Sequence, residues 1–217
     1  SSPMIFAGGG VWWSQAYDEL RQLVERMGIP FYTSPMSRGL LPDDHEMSFP
    51  AARSGAFRGA DVVLVVGTRM NWMMTYGKRI AEESKIIQID IHGEELGHNR
   101  SIDVGIEGDA KTVLQQMIDE AERSGFESKA KTKWIDDLRE ADLSRRERVA
   151  PLENAETRPI HPLRLCKELR DVMDRDAILA VDGNEILHYG RQSVPTFEPG
   201  HRLNSGPSGC MGVGLPY

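Results

Sequence analysis

The chain is 217 residues long, 40% hydrophobic, with 33 acidic and 26 basic side chains and a net charge of −7. That length and apolar content suit one large domain or one domain plus part of another, and an acidic chain without a basic stripe argues against a nucleic-acid partner. Cys166 and Cys210 lie far apart in no metal-like spacing, so neither a disulfide framework nor a zinc site is indicated, and a reducing cytoplasm is the expected compartment.

Met4 to Ala7 reads as a short apolar strand, followed by Gly8-Gly-Gly10 and an amphipathic run from Trp12 to Met27 with apolar Ala16, Leu20, Val24 and Met27. Strand, glycine turn and helix together present backbone N–H groups and a positive dipole end to an anion. Three adjacent glycines are nevertheless not the spaced dinucleotide fingerprint. Gly28 ends the helix. Ile29 to Thr33 predicts a second strand, Ser37 to Pro50 a Gly/Pro/Asp-rich loop, and Ala51 to Gly59 a short helix.

Asp61 to Val66 is almost wholly apolar and rich in β-branched residues, the pattern of a strand buried on both faces. Such strands belong to parallel sheets with helical crossovers, whose ligands bind beyond the carboxyl ends near a switch in winding order. Gly67 allows close backbone approach there, and Arg69 offers a fixed fork of donors suited to a phosphate. The same Gly-x-Arg also reads as an ordinary turn with a solvated arginine. Asn71 to Ser84 is part loop and part helix.

Ile86 to Ile91 predicts the next strand, with Asp90 near its end, placed to accept hydrogen bonds from a ribose or to form a turn. A polar turn region, His92 to Arg100, leads to a strand over Ile102 to Glu107. Gly108-Asp-Ala then opens a helix through about Arg123, with Asp109 as its N-cap or as a partner for an adenine. Strands and helices thus alternate about five times, a doubly wound, Rossmann-like α/β domain over residues 1–125.

Residues 126–160 are expected to connect. Phe126 to Val149 reads as a charged helix with apolar residues too sparse for deep burial, lying on the surface, and residues 150–160 as a linker. Residues 161–217 begin a second α/β domain that the chain leaves incomplete. His161-Pro-Leu starts a helix through Met173, and Ala177 to Val181 is a buried strand ending in Asp182-Gly183-Asn184-Glu185. Apolar strand surface is expected to be exposed beyond residue 150, with aggregation or disorder there. Asn204 to Tyr217 carries closely spaced glycines beside Met211, which suggests backbone approach to a flat ligand or a plain glycine-rich loop. The chain is expected to be a fragment of a longer polypeptide. No apolar run approaches the length of a membrane span.

Phe6-Ala-Gly-Gly-Gly-Val11, Ala51-Ala-Arg-Ser54, Gly67-Thr-Arg-Met-Asn-Trp72 and Gln88-Ile-Asp-Ile-His-Gly-Glu-Glu-Leu-Gly-His-Asn99 resemble, in order, the middle domain of thiamine diphosphate-dependent enzymes of the acetolactate synthase group. That group includes oxalyl-CoA decarboxylase and 2-hydroxyacyl-CoA lyase, and Ala51 to Ser54 is especially like the CoA-thioester branch. The resemblance implies an adenine nucleotide, ADP or FAD, held by Gly8, Gly9, Gly67, Arg69, Asp90 and Asp109. It implies thiamine diphosphate at Gly206, Gly209 and Met211, and Mg²⁺ as a further cofactor of the full-length protein. There the Gly209 carbonyl and Met211 N–H would bond the aminopyrimidine while the Met211 side chain props the cofactor into its bent shape.

Asn184 and Glu185 match the position of diphosphate contacts, although Gly-Ala-Asn-Thr is the commoner pattern in the CoA branch and Glu185 is an odd neighbour for a diphosphate. The resemblance further implies a small-molecule substrate, a 2-oxo acid or an acyl-CoA thioester, and a homodimer or homotetramer. It places no catalytic residue and no metal ligand in this chain. The activating glutamate is expected on an N-terminal domain and the Mg²⁺-binding segment beyond Tyr217, so the chain alone is expected to be inactive. A regulatory nucleotide-binding module without catalysis is the alternative from a different class.

Overall fold

The computed structural model describes residues 1–126, 132–183 and 185–215. Strands β1 (Pro3–Ala7), β2 (Phe31–Thr33), β3 (Val62–Val66), β4 (Lys85–Asp90) and β5 (Val104–Glu107) form one parallel sheet in the order β2-β1-β3-β4-β5. This is the doubly wound arrangement expected from the buried apolar runs, and its winding reverses between β1 and β3.

Side chains alternate across a strand, so each inner strand feeds two cores. Ile5, Ala7, Leu64, Val66 and Ile89 face helices α2 (Tyr17–Met27) and α4 (Ala110–Arg123), which bury Leu20, Leu23, Val24, Leu114 and Ile118. Met4, Phe6, Val63, Val65 and Ile86 face the other way, toward Phe57 of α3 (Arg53–Gly59). The run expected as one helix from Trp12 is broken into α1 (Gly9–Trp13) and α2, because Gln15 takes a left-handed backbone (φ 52°) between them.

Helix α5 (Thr132–Glu153) does more than run along the surface. Ile135 and Leu138 are buried in the second core, and the Trp134 indole N–H donates to the Pro3 carbonyl at 3.0 Å. Its buried Asp142 accepts from the Ala51 N–H at 2.6 Å and from Arg146 Nε at 2.6 Å. Sparse apolar spacing hid this, because a few buried residues between Trp134 and Asp142 suffice to seal that face.

Helices α6 (Pro162–Val172) and α7 (Glu185–Ser193) and a two-stranded parallel pair, β6 (Leu179–Ala180) with β7 (Arg202–Leu203), make up the remainder. The loop after β2 binds them to the main sheet. The Thr196 N–H donates to Asp43 at 2.8 Å, and Arg175 grips Asp44 through both carboxylate oxygens at 2.8 and 3.0 Å. Leu165, Leu169 and Val172 of α6 are exposed, as are Ile178, Met211 and Leu215, so the apolar surface beyond residue 150 is spread over a helix and loops rather than over strands. Among the described residues no helix is long and apolar enough to cross a membrane.

Candidate functional site

The carboxyl ends of β1, β3, β4 and β5 bring Gly8, Gly9, Gly67, Arg69, Asp90 and Asp109 onto one edge of the sheet. At the switch point the two glycine turns are packed backbone to backbone. The Gly8 N–H donates to the Val66 carbonyl at 2.8 Å and the Gly10 N–H to the Gly67 carbonyl at 2.9 Å. A Cβ at Gly8 would lie 2.3 Å from the Gly67 oxygen, and one at Gly67, which also has φ 58°, would lie 2.7 Å from the Gly10 Cα. Gly9 differs, since its Cβ would meet only Trp13 Cδ1 at 4.0 Å. It is the glycine of the three that faces open space.

The polar residues of this edge already have internal partners. Arg69 Nε pairs with Glu95 Oε1 at 2.9 Å, with the Arg69 side chain 62% exposed and that of Glu95 17%. Asp90, buried, accepts from the His92 N–H at 3.1 Å. Asp109 caps α4 by accepting from the Thr112 N–H at 3.1 Å. Each therefore performs the structural task that its position also suggested, and a phosphate at Arg69 would compete with Glu95.

The second constellation is the loop after β7. Gly206 is buried and its N–H is held by Asn204 Oδ1 at 2.8 Å. Gly209 has φ 63° with open space where a Cβ would stand. Neither its carbonyl nor the Met211 N–H has a partner among the described residues, and Met211 is 78% exposed. An acceptor, a donor and a free apolar side chain thus lie within three residues. Two contacts tie this loop to the main sheet: the Trp72 indole N–H donates to the Pro207 carbonyl at 3.2 Å, and Met36 Sδ would stand 3.0 Å from a Cβ at Gly206.

Asp182, just past β6, gathers the loop's far end. Its carboxylate accepts from the N–H groups of Gly183 at 2.6 Å, Gly212 at 3.0 Å and Gly214 at 3.0 Å. These donors, the Gly214 N–H foremost, hold the carboxyl below the usual carboxylate range. Asn184 lies outside the described residues, and Glu185 is the first residue of α7.

Residues 1–117 match the family model for the thiamine pyrophosphate enzyme, central domain. The chain belongs to the thiamine pyrophosphate enzymes. It is 33% identical to 2-hydroxyacyl-CoA lyase 1 of Mus musculus over 217 residues, covering 99% of this chain and 37% of the relative. It is 34% identical to oxalyl-CoA decarboxylase of Escherichia coli strain K12, covering 99% and 38%. Against acetolactate synthase large subunit IlvG of Mycobacterium tuberculosis the identity is also 34%, covering 99% and 38%. The chain therefore spans little more than a third of the length of these relatives.

In this member of the family, sequence reasoning missed a cluster of arginines. Arg53 lies between the rings of Phe6 and Phe57, its guanidinium carbon 5.2 and 5.3 Å from their centroids, with Nε enclosed and unpartnered. Burial, then the charges of Arg79, Arg191 and Arg38, push its guanidinium down to about 10. Among the described residues Arg191 Nε and the Tyr32 hydroxyl, like Arg53 Nε, are enclosed without hydrogen-bond partners. Arg202, pushed down to about 9 by burial and by Arg38, belongs to the same group. The main counter-charge is Asp43, paired with Arg38. Within Ala51 to Ser54 only Arg53 hinted at this group, because its members come from five separated stretches.

Proposed function

We propose that this chain forms part of a thiamine diphosphate-dependent enzyme that cleaves or forms the C–C bond next to a carbonyl, with a CoA thioester as substrate. Family membership and relatives described as lyase, decarboxylase and synthase support the reaction class. When bound, thiamine diphosphate supplies a carbon nucleophile at the substrate carbonyl and a sink for the electrons of the broken bond.

The residues of the second loop fit that cofactor. The Gly209 carbonyl and Met211 N–H offer an acceptor and a donor to an aminopyrimidine, the Met211 side chain gives apolar support, and buried Gly206 anchors the turn. By the same resemblance, Asn184 and Glu185 would contact the diphosphate. At the sheet edge, Gly8, Gly9 and Gly67 would let an ADP or FAD approach the backbone, Arg69 would take a phosphate after leaving Glu95, and Asp90 and Asp109 would take ribose and adenine.

The observation that carries the CoA reading is the arginine cluster. Guanidiniums clustered at low exposure repel one another and retain unmet donors, and a multiply charged phosphate group answers both costs. A 2-oxo acid, with one carboxylate, leaves most of that charge unanswered.

The test is calorimetric titration of the chain with CoA, ADP, FAD and Mg²⁺–thiamine diphosphate, repeated with Arg53→Met and Arg69→Ala. The expected outcome is CoA binding lost in Arg53→Met and ADP binding lost in Arg69→Ala. Preference for FAD with no CoA binding would shift the reading to a carboligase of acetolactate synthase type. Nucleotide binding with no thiamine diphosphate binding would favour a regulatory module.

A further inference from the structure

We propose that Asp182 is a positioning residue that fixes the spacing between the two turns at either end of the thiamine diphosphate site. The inference rests on the reading of Gly206 to Met211 as the cofactor loop. Asp182 sits where two glycine turns meet. Gly183 (φ 82°) begins the turn toward α7, and Gly212 (φ 86°) ends the loop after β7. Neighbouring N–H groups in such turns form a concavity that collects an anion. Here the anion is the protein's own carboxylate: Oδ1 takes Gly183 and Gly212, and Oδ2 takes Gly214.

The two oxygens thus have different duties. Oδ1 joins the turns to each other across 30 residues, and Oδ2 holds the residue that follows. A Cβ at Gly214 would lie 3.1 Å from the Asp182 Cβ, a close approach that a larger residue would crowd. Near the other end, the loop is fixed by Asn204 to the Gly206 N–H and by Trp72 to the Pro207 carbonyl. Between these anchors lie the Gly209 carbonyl and the Met211 N–H, without partners among the described residues. A cofactor bent over this loop needs its pyrimidine end and its diphosphate end at a set separation, since a reacting geometry is lost with small displacements. The Asp182 carboxylate is the contact that can set it, because among the described residues it is the side chain that hydrogen-bonds to both turns.

The experiment is residue-resolved amide exchange on the chain without cofactor, together with calorimetric titration by Mg²⁺–thiamine diphosphate, for wild type, Asp182→Ala and Asp182→Asn. Wild type is expected to protect the Gly212 and Gly214 amides at least about tenfold over Asp182→Ala, with amides of the five-stranded sheet unchanged. Asp182→Asn retains an oxygen for the Oδ1 donors and turns an amide group toward Gly214, so it should open Gly214 alone. A residue needed only for folding would open the sheet as well. If the cofactor-ready loop drops to about a tenth of its population in Asp182→Ala, cofactor affinity falls about tenfold.

Equal exchange at Gly212 and Gly214 in wild type and Asp182→Ala overturns the clamp, whatever the cofactor does. Protected amides with no cofactor binding in wild type overturn the cofactor reading and with it the positioning role. Unchanged affinity in Asp182→Ala, with the amides opened, overturns the positioning role alone.

Discussion

The Gly10 N–H donates to the Gly67 carbonyl at 2.9 Å, and a Cβ on either residue would come within 2.7 Å of the other's Cα. The turns after β1 and β3 are therefore in backbone contact at the place where the sheet reverses its winding. Gly67→Ala also demands a left-handed backbone from a residue with a side chain. We expect it to cost about 1–3 kcal/mol or more, read as a lower urea midpoint at unchanged slope. Gly9→Ala, in open space at the start of α1, should be near neutral in the same measurement.

Leu138→Ala tests whether α5 is part of the core. The residue is buried against the second face of the sheet, so the expected loss is about 2–5 kcal/mol. A helix that merely connects would lose a few tenths, and circular dichroism during urea unfolding separates the two.

Trp72→Phe keeps an aromatic ring but removes the donor to the Pro207 carbonyl. A loss of about 1 kcal/mol is expected locally, seen as faster amide exchange from Gly206 to Gly209 with the main sheet unaffected. Global destabilisation of equal size throughout would contradict a local tie.

The grip of Arg175 on Asp44 predicts a pH dependence. Its hydrogen bonds hold the Asp44 carboxyl below the usual carboxylate range. Because the folded value is depressed, the stabilisation is complete above the unfolded value, about 3.9, and is lost as pH falls through the lower folded value. Asp44→Asn should thus be slightly less stable than wild type at pH 7, and the difference should vanish once the pH lies below the lowered folded value and shrink in high salt. A difference that persists in acid would mean that packing, not charge, is responsible.

Arg53→Met addresses the arginine cluster. Without added anions the variant should be as stable as wild type or more so, because a partly buried, poorly paired charge is replaced by apolar volume. Pyrophosphate or CoA should raise the melting temperature of wild type only. A severe loss of stability in anion-free buffer would show that the cation–π contacts with Phe6 and Phe57 outweigh the desolvation cost.

Much of the fold was written locally. Val62 to Val66 can be little other than a buried strand, since five consecutive apolar, largely β-branched residues suit an extended chain covered on both sides. Gly28, left-handed at φ 56°, ends α2 as its lack of a side chain suggests. The same local logic put Gly8, Gly67, Asp90 and Asp109 at the ends of strands, and the sheet order brought those ends together along one edge.

What the sequence determined by itself was the α/β alternation, the doubly wound parallel sheet and the residues that stand at its carboxyl edge, all consequences of short-range patterning. Tertiary structure alone decided that Glu95 occupies Arg69, that α5 seals a core, that Arg38, Arg53, Arg191 and Arg202 converge, and that Asp182 reaches Gly212 and Gly214. Hydrophobic periodicity records which side of an element is buried. Which charge meets which donor across 30 or more residues depends on how the packed elements place side chains that carry no such period.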